Sequence, residues 1–160
     1  WTDFTGYFQQ LMSQGTSINI ASSVAPQQIR RAVVGFDNRA AEADELEKMK
    51  SLVTQAMEQG AVGLSAAWHS GGPEYVDELI EMAVVAAQYG GYYGTHVGSE
   101  GFDIGTELDK TFQIARASGI PVHIYHLKIR GREHWGQIGR VIDTIESALT
   151  EGLERCKSVE

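Results

Sequence analysis

A chain of 160 residues with 42% hydrophobic and 21% charged residues has the composition of one globular domain, and this excludes an extended disordered segment. Its formal net charge of −8, with acids and bases interleaved, argues against a nucleic-acid footprint, which needs a basic patch or stripe. No apolar run approaches the roughly 18–20 residues of a membrane span.

In chain order, residues 3–14 read as a helix, with Phe4, Tyr7, Phe8 and Leu11 at helical spacing and Gly15 as the stop. Residues 17–21 read as a short strand, 26–34 as a brief helix ended by Gly35, and Asp37-Asn38-Arg39 as a turn. The clearest helix covers 44–59, where Leu46, Met49, Val53, Ala56 and Met57 share a face and Asp44 and Glu45 suit the first turn. Residues 61–65 are a short apolar run of buried-strand type. The pattern then repeats: helix 77–89, strand 92–95, helix 103–117, strand 121–125, helix 135–150, with Gly90, Gly119 and Gly152 as stops. A further strand is expected after Gly152, but none is evident in the remaining residues.

Strands alternating with amphipathic helices imply parallel βαβ units, and strands without polar alternation fit a covered sheet. The fold class is α/β. About four strands are visible, where a closed barrel has eight and about 250 residues. A small doubly wound sheet is the alternative that needs no further strands.

Function in a parallel barrel sits at the carboxyl ends of the strands. His96 follows the strand at 92–95 and His126 the strand at 121–125, one βα unit apart and at one mouth. Two neutral imidazoles so placed can hold a divalent metal, zinc above all; the competing view is two ordinary rim histidines, since catalytic zinc usually has three protein ligands. By strand alternation His126 shares a face with Val122 and Ile124, and His123 and Tyr125 share the other, so His123 is expected to point to the helix layer. Lys128 lies in the loop at the mouth, where its ammonium can pair with a substrate carboxylate or remain solvated. His69 and His134 read as surface histidines, Trp135 as a helix-packing residue, and Ser99-Glu100-Gly101 as support for the site or a helix approach. No nucleophile elbow and no dinucleotide-binding glycine loop occurs.

Four ordered stretches carry a family resemblance. Glu58-Gln59-Gly60-Ala61-Val62-Gly63-Leu64-Ser65 is similar to the EGAxGLS strand of the N-acyl-D-amino-acid deacylases (D-aminoacylases) of the amidohydrolase superfamily. The stretch from Tyr89 through His96 to Gly101 resembles their YGGxYxSHMRSEG, Gly119-Ile120-Pro121-Val122-His123-Ile124-Tyr125-His126-Leu127-Lys128 their GVPVxISHLK, and Gly131-Arg132-Glu133-His134-Trp135-Gly136 their GRxNWG. The resemblance runs over nearly the whole chain. It implies a partial (β/α)8 TIM barrel, about strands 3 to 6 with their helices, so that residues 1–160 are a fragment of a metal-dependent barrel domain. It also implies hydrolysis of N-acyl-D-amino acids to a carboxylate and a free D-amino acid. His96 and His126 match metal (Zn2+) ligands, and Lys128 a residue that contacts the substrate carboxylate. The family's first-strand H-x-H, its metal-binding cysteine and its general-base Asp are not in the segment; the Asp is expected downstream, and the isolated chain is expected to be inactive.

Departures fall at Val97 and Gly98, where the family has Met and Arg, and in the loop at 66–77, which bears on acyl and side-chain preference. Two other readings remain. A cyclic-amide hydrolase of the dihydroorotase or hydantoinase type usually carries a carboxylated lysine on strand 4, and residues 61–65 have no lysine. A barrel scaffold without catalysis is the other. The expected partner is a small-molecule N-acyl amino acid, without nucleic acid or membrane. A single cysteine, Cys156, fits a reducing, cytoplasmic setting. The chain opens Trp1-Thr2-Asp3-Phe4, with no Met and no signal-peptide pattern, so the native start is expected upstream and secretion stays open.

Overall fold

The computed structural model describes residues 1–67, 73–153 and 157–159, with backbone alone at 73, 74 and 157–159. Trp68, His69 and Cys156 lie outside the described residues.

Helix α1 (Phe4–Gln14) is capped by Asp3, whose carboxylate accepts from the Gly6 amide at 2.8 Å. Pro26 starts α2 (Pro26–Val33) at the one turn of a helix that needs no amide donor. Helix α3 (Ala43–Glu58) opens on a reciprocal capping box between Glu42 and Glu45, and Met49, Val53, Ala56 and Met57 form its buried stripe. Then follow β1 (Gly63–Ala66), α4 (Pro73–Gln88), β2 (Tyr92–Thr95), α5 (Ile104–Ser118), β3 (Val122–Tyr125), a 3-10 helix (Arg132–Gln137) running into α6 (Ile138–Thr150), and β4 (Lys157–Val159).

The four strands are parallel and lie in the order β1-β2-β3-β4. Val24 adds an isolated parallel bridge to Leu64 on the far side of β1, so chain order and spatial order agree throughout. Right-handed crossovers, the rule for parallel neighbours, put the connecting helices on one side of the sheet. The packing of α3 on α4, α4 on α5 and α5 on α6 follows from this. A doubly wound sheet requires a reversal of strand order, and none occurs among the described strands. The architecture is an α/β parallel sheet backed by helices, consistent with part of a barrel.

Several sequence expectations shift. Residues 17–21 are not a strand: Ile18 and Ile20 are exposed, and pairing moves to Val24, which is 5% exposed in the core. The backbone there is tied by Val62 N to Ser22 O (3.0 Å), Val24 N to Gly63 O (2.9 Å) and Ser65 N to Val24 O (2.7 Å). Helix α4 starts at Pro73, ahead of the expected 77. The helix expected from 135 opens as a 3-10 turn, and β4 supplies a strand after Gly152 that the sequence did not reveal.

The two sheet faces differ in chemistry. Leu64, Ala66, Tyr93, Thr95, Val122 and Ile124 are all 0–3% exposed and join the helices in one core. The alternate positions Ser65, Tyr92, His123 and Tyr125 are polar or aromatic and half-buried. Where the loop at 34–42 turns back, buried Glu78 accepts from Arg30 Nε (2.8 Å) and from the Ala41 amide (2.8 Å), and Arg39 forms a two-pronged pair with Glu45 (2.7 and 2.7 Å).

Two outcomes follow. Gly63 has φ +152°, and a Cβ there would lie 2.2 Å from the Tyr92 carbonyl oxygen. Gly63→Ala should force β1 and β2 apart and lower unfolding stability by about 3 kcal/mol, measured by denaturant melts. The hydrogen bonds from Arg39, followed by that from the Glu42 amide, hold the Glu45 carboxyl down from 4.5 to about 2. A depressed carboxyl contributes stability that is full above its unfolded value and is lost as pH falls through its folded one. The stability difference between the parent and Glu45→Gln should therefore shrink as pH falls from about 4.5 to about 2; a difference constant over that window would refute the pairing.

Candidate metal and substrate site

Strand alternation on β2 puts Tyr92 and Gly94 on the face turned away from the helices, and His96 continues that row. On β3 the same face carries His123 and Tyr125, because apolar Val122 and Ile124 take the helix side. This corrects the face expected for His123, which stacks on Tyr92 (ring centroids 4.6 Å, 23° between planes) on the open side.

Continued alternation would then send His126 into the helix layer. It does not go there, because His126 has φ +37°, the only positive φ outside glycine among the described residues. A left-handed residue breaks the two-residue period and re-aims its side chain. The His126 ring comes to 4.4 Å from the His96 ring, centroid to centroid, at 52°. The two histidines singled out from the sequence are thus brought together, by a route that strand periodicity does not contain.

Tyr125 forms the floor beside them. Its ring meets His96 edge-on at 5.3 Å, and its hydroxyl donates to Ser65 Oγ at 3.4 Å. Gly94 makes this possible: a Cβ there would lie 1.9 Å from the Tyr125 hydroxyl oxygen. Farther along, Tyr92 and Ser23 share a hydrogen bond of 3.0 Å. Tyr125 and its glycine partner escaped the sequence reading; the signal available was a bulky residue paired across two strands with a residue of no side chain. Burial of the His96 ring, and then the nearby His126 and Lys128, lower its proton affinity below the ordinary imidazole range, which favours the neutral, lone-pair-bearing form.

Lys128 sits at the rim as expected, with Nζ 2.8 Å from His126 Nδ1 and in contact with the Glu100 carboxylate. Glu100 also lies 3.6 Å from His126 Nδ1 and 4.0 Å from Arg130 Nε, and its carbonyl accepts from the Arg130 amide at 2.6 Å. The loops after β2 and β3 are thereby joined beside the histidines.

His134 is not a simple surface residue: it is half-buried, 3.2 Å from Gln137 Nε2 and 3.4 Å from Glu133. Trp135 is 61% exposed rather than packed on the barrel. A cleft of about 750 Å³, lined by residues including Trp1, Tyr7, Gln28 and Gln59, lies toward α1, α2 and α3 and includes neither histidine. Among the described residues no group of three His, Cys, Asp or Glu side chains converges as a metal site, so His96 and His126 form a pair that fits part of a coordination shell.

No protein-family model matches the chain. The chain is similar over nearly its whole length to D-aminoacylases and N-acyl-D-amino-acid deacylases. It is 32% identical over 148 residues (91% of the chain) to a D-aminoacylase of Alcaligenes xylosoxydans xylosoxydans, and 28% identical over 156 residues (96%) to an N-acyl-D-glutamate deacylase of the same organism. These matches span 31% and 32% of those relatives, so the chain covers about a third of their length. Among solved structures, a D-aminoacylase described as defining a novel subset of amidohydrolases superposes with a TM-score of 0.86 over 99% of the chain and 33% of its own, at 30% identity. The N-acyl-D-glutamate deacylase of Bordetella bronchiseptica, complexed with zinc and a phosphonate mimic of the tetrahedral intermediate, superposes at 0.89 over 99% of the chain and 34% of its own, at 25% identity.

The left-handed backbone at 126 has a measurable consequence. A non-glycine residue in that region carries a cost of about 1–2 kcal/mol that glycine escapes. His126→Gly should unfold at higher free energy than His126→Ala by about 1 kcal/mol in chemical denaturation; equal stabilities would contradict the turn.

Proposed function

We propose that the chain is the segment from about strand 3 to strand 6 of a (β/α)8 barrel in a zinc-dependent hydrolase that cleaves the linear amide of N-acyl-D-amino acids. The observation that carries the reading is the 4.4 Å convergence of His96 and His126 on the open face of the sheet. Its supports are the relatives named for deacylation of D-amino acids and the zinc-bound structure among them.

In this reading His96 and His126 each give one imidazole lone pair to zinc. When bound, zinc supplies a polarised amide carbonyl and hydroxide near neutral pH. His96 suits this role because burial of its ring lowers its proton affinity and so favours the neutral form. Tyr125 backs the His96 ring and limits its rotation. Lys128 takes the substrate carboxylate, which fixes the amide relative to the histidines and excludes amides without an acid group. The general base and the remaining ligands are assigned outside the described residues. A cyclic-amide hydrolase is disfavoured by Gly63–Ala66, which has no lysine to carry a bridging carbamate.

Zinc bound by the protein, measured by elemental analysis after dialysis, should fall by more than half in His96→Ala and in His126→Ala. Unchanged content in both variants would sink the assignment. The 160-residue chain loaded with zinc should show no turnover of N-acetyl-D-amino acids, since a general base is missing from this set of residues.

A further inference from the structure

Two groups compete for one nitrogen at the rim. His126 Nδ1 lies 2.8 Å from Lys128 Nζ and 3.6 Å from Glu100 Oε1, and Lys128 itself contacts that same carboxylate oxygen. An ammonium has no lone pair and can only donate. With Lys128 in place Nδ1 is the acceptor, so a neutral His126 ring carries its proton on Nε2. That tautomer has no lone pair on Nε2, and Nδ1 is already engaged. The arrangement seen here therefore weighs against metal at His126, which must displace either the Nε2 proton or the Lys128 ammonium to bind.

Ligation through Nε2 requires the proton to sit on Nδ1, and Nδ1–H then needs an acceptor. Glu100 is placed to be that acceptor. Its side chain is only 17% exposed, against 49% for His126 and 47% for Lys128, and the Arg130 amide holds its backbone carbonyl in place. A ring proton donated to a carboxylate is the usual way a protein fixes a ligating imidazole.

We propose that Glu100 is a positioning residue that fixes the metal-ready tautomer of His126, and that Lys128 opposes it until a substrate carboxylate draws the ammonium away. The exchange moves one proton from Nε2 to Nδ1 within a neutral ring, with no net uptake or release. Carboxylate capture and metal binding are thereby linked. The links to metal and to the substrate carboxylate rest on the function proposed above; the competition of Lys128 and Glu100 for the His126 tautomer does not.

The test is 15N NMR of the His126 ring in the metal-free protein. The parent should show a protonated Nε2, Lys128→Met a protonated Nδ1, and Lys128→Met/Glu100→Gln no fixed preference. A saturating N-acetyl-D-amino acid should move the parent toward the Lys128→Met spectrum. A Lys128→Met ring that keeps the parent tautomer, a double variant indistinguishable from Lys128→Met, or a parent spectrum unmoved by the carboxylate overturns the proposal. Zinc titration adds opposite signs: Glu100→Gln should weaken affinity by about 10–100-fold, and Lys128→Met should strengthen it. Weakening in both variants points to a structural role and overturns the proposal. Failure of the zinc function itself is read separately, as unchanged zinc content in His96→Ala and His126→Ala.

Discussion

The site depends on one backbone torsion. Each strand sorts its side chains into two sets, and β3 spends its apolar set, Val122 and Ile124, on the helix layer. Without the φ of +37° at His126 the next side chain would follow them, and His96 would face solvent alone. The left-handed residue reverses that assignment at the point where the strand ends and the ladder no longer constrains the chain. Strain of this kind persists only where surrounding contacts over-determine it. Here the His96 ring, the Lys128 ammonium and the Glu100 carboxylate all lie against or near the re-aimed imidazole.

The division of the sheet into an apolar and a polar face gives that torsion its meaning. Helices α3 to α6 pack one on the next, and the core they seal against the sheet contains Leu79, Met82, Leu108 and Phe112 at 0–1% exposure. The other side gathers Ser23, Ser65, Tyr92, His123 and Tyr125, joined by hydrogen bonds that reach over an intervening strand and by the Tyr92–His123 ring contact between neighbours. Such a face is suited to hold polar and aromatic groups in fixed order around a small ligand. Gly94 shows how closely the order is set, since its missing side chain is the space that the Tyr125 hydroxyl occupies.

Much of this was legible in the sequence, for definite reasons. Strands at 92–95 and 121–125 and the helix at 103–117 have strong periodicity and glycine stops, and the structure has them within a residue, whereas the helices on either side start four residues early and three late. His96 and His126 could be singled out because chemistry in parallel sheets gathers at carboxyl ends. What escaped was local. The alternation at 17–21 resembles a strand, but the pairing partner of β1 is Val24, the residue that reaches the core. The face of His123 was misjudged because His126 was taken to stay in the strand period, and a left-handed histidine leaves no mark that a glycine would. Glu100 reads from the sequence as support for the site or a helix approach without a stated partner, and the fold places it against Lys128 and Arg130.

The homologues extend this local picture without completing it, since they are matched over about a third of their length. The central claim concerns two rings meeting at one point, and X-ray absorption at the zinc edge of the zinc-loaded protein reads it directly. The account predicts two imidazole scatterers on zinc, with nitrogen at about 2.0–2.1 Å. A spectrum with one imidazole or none would contradict it.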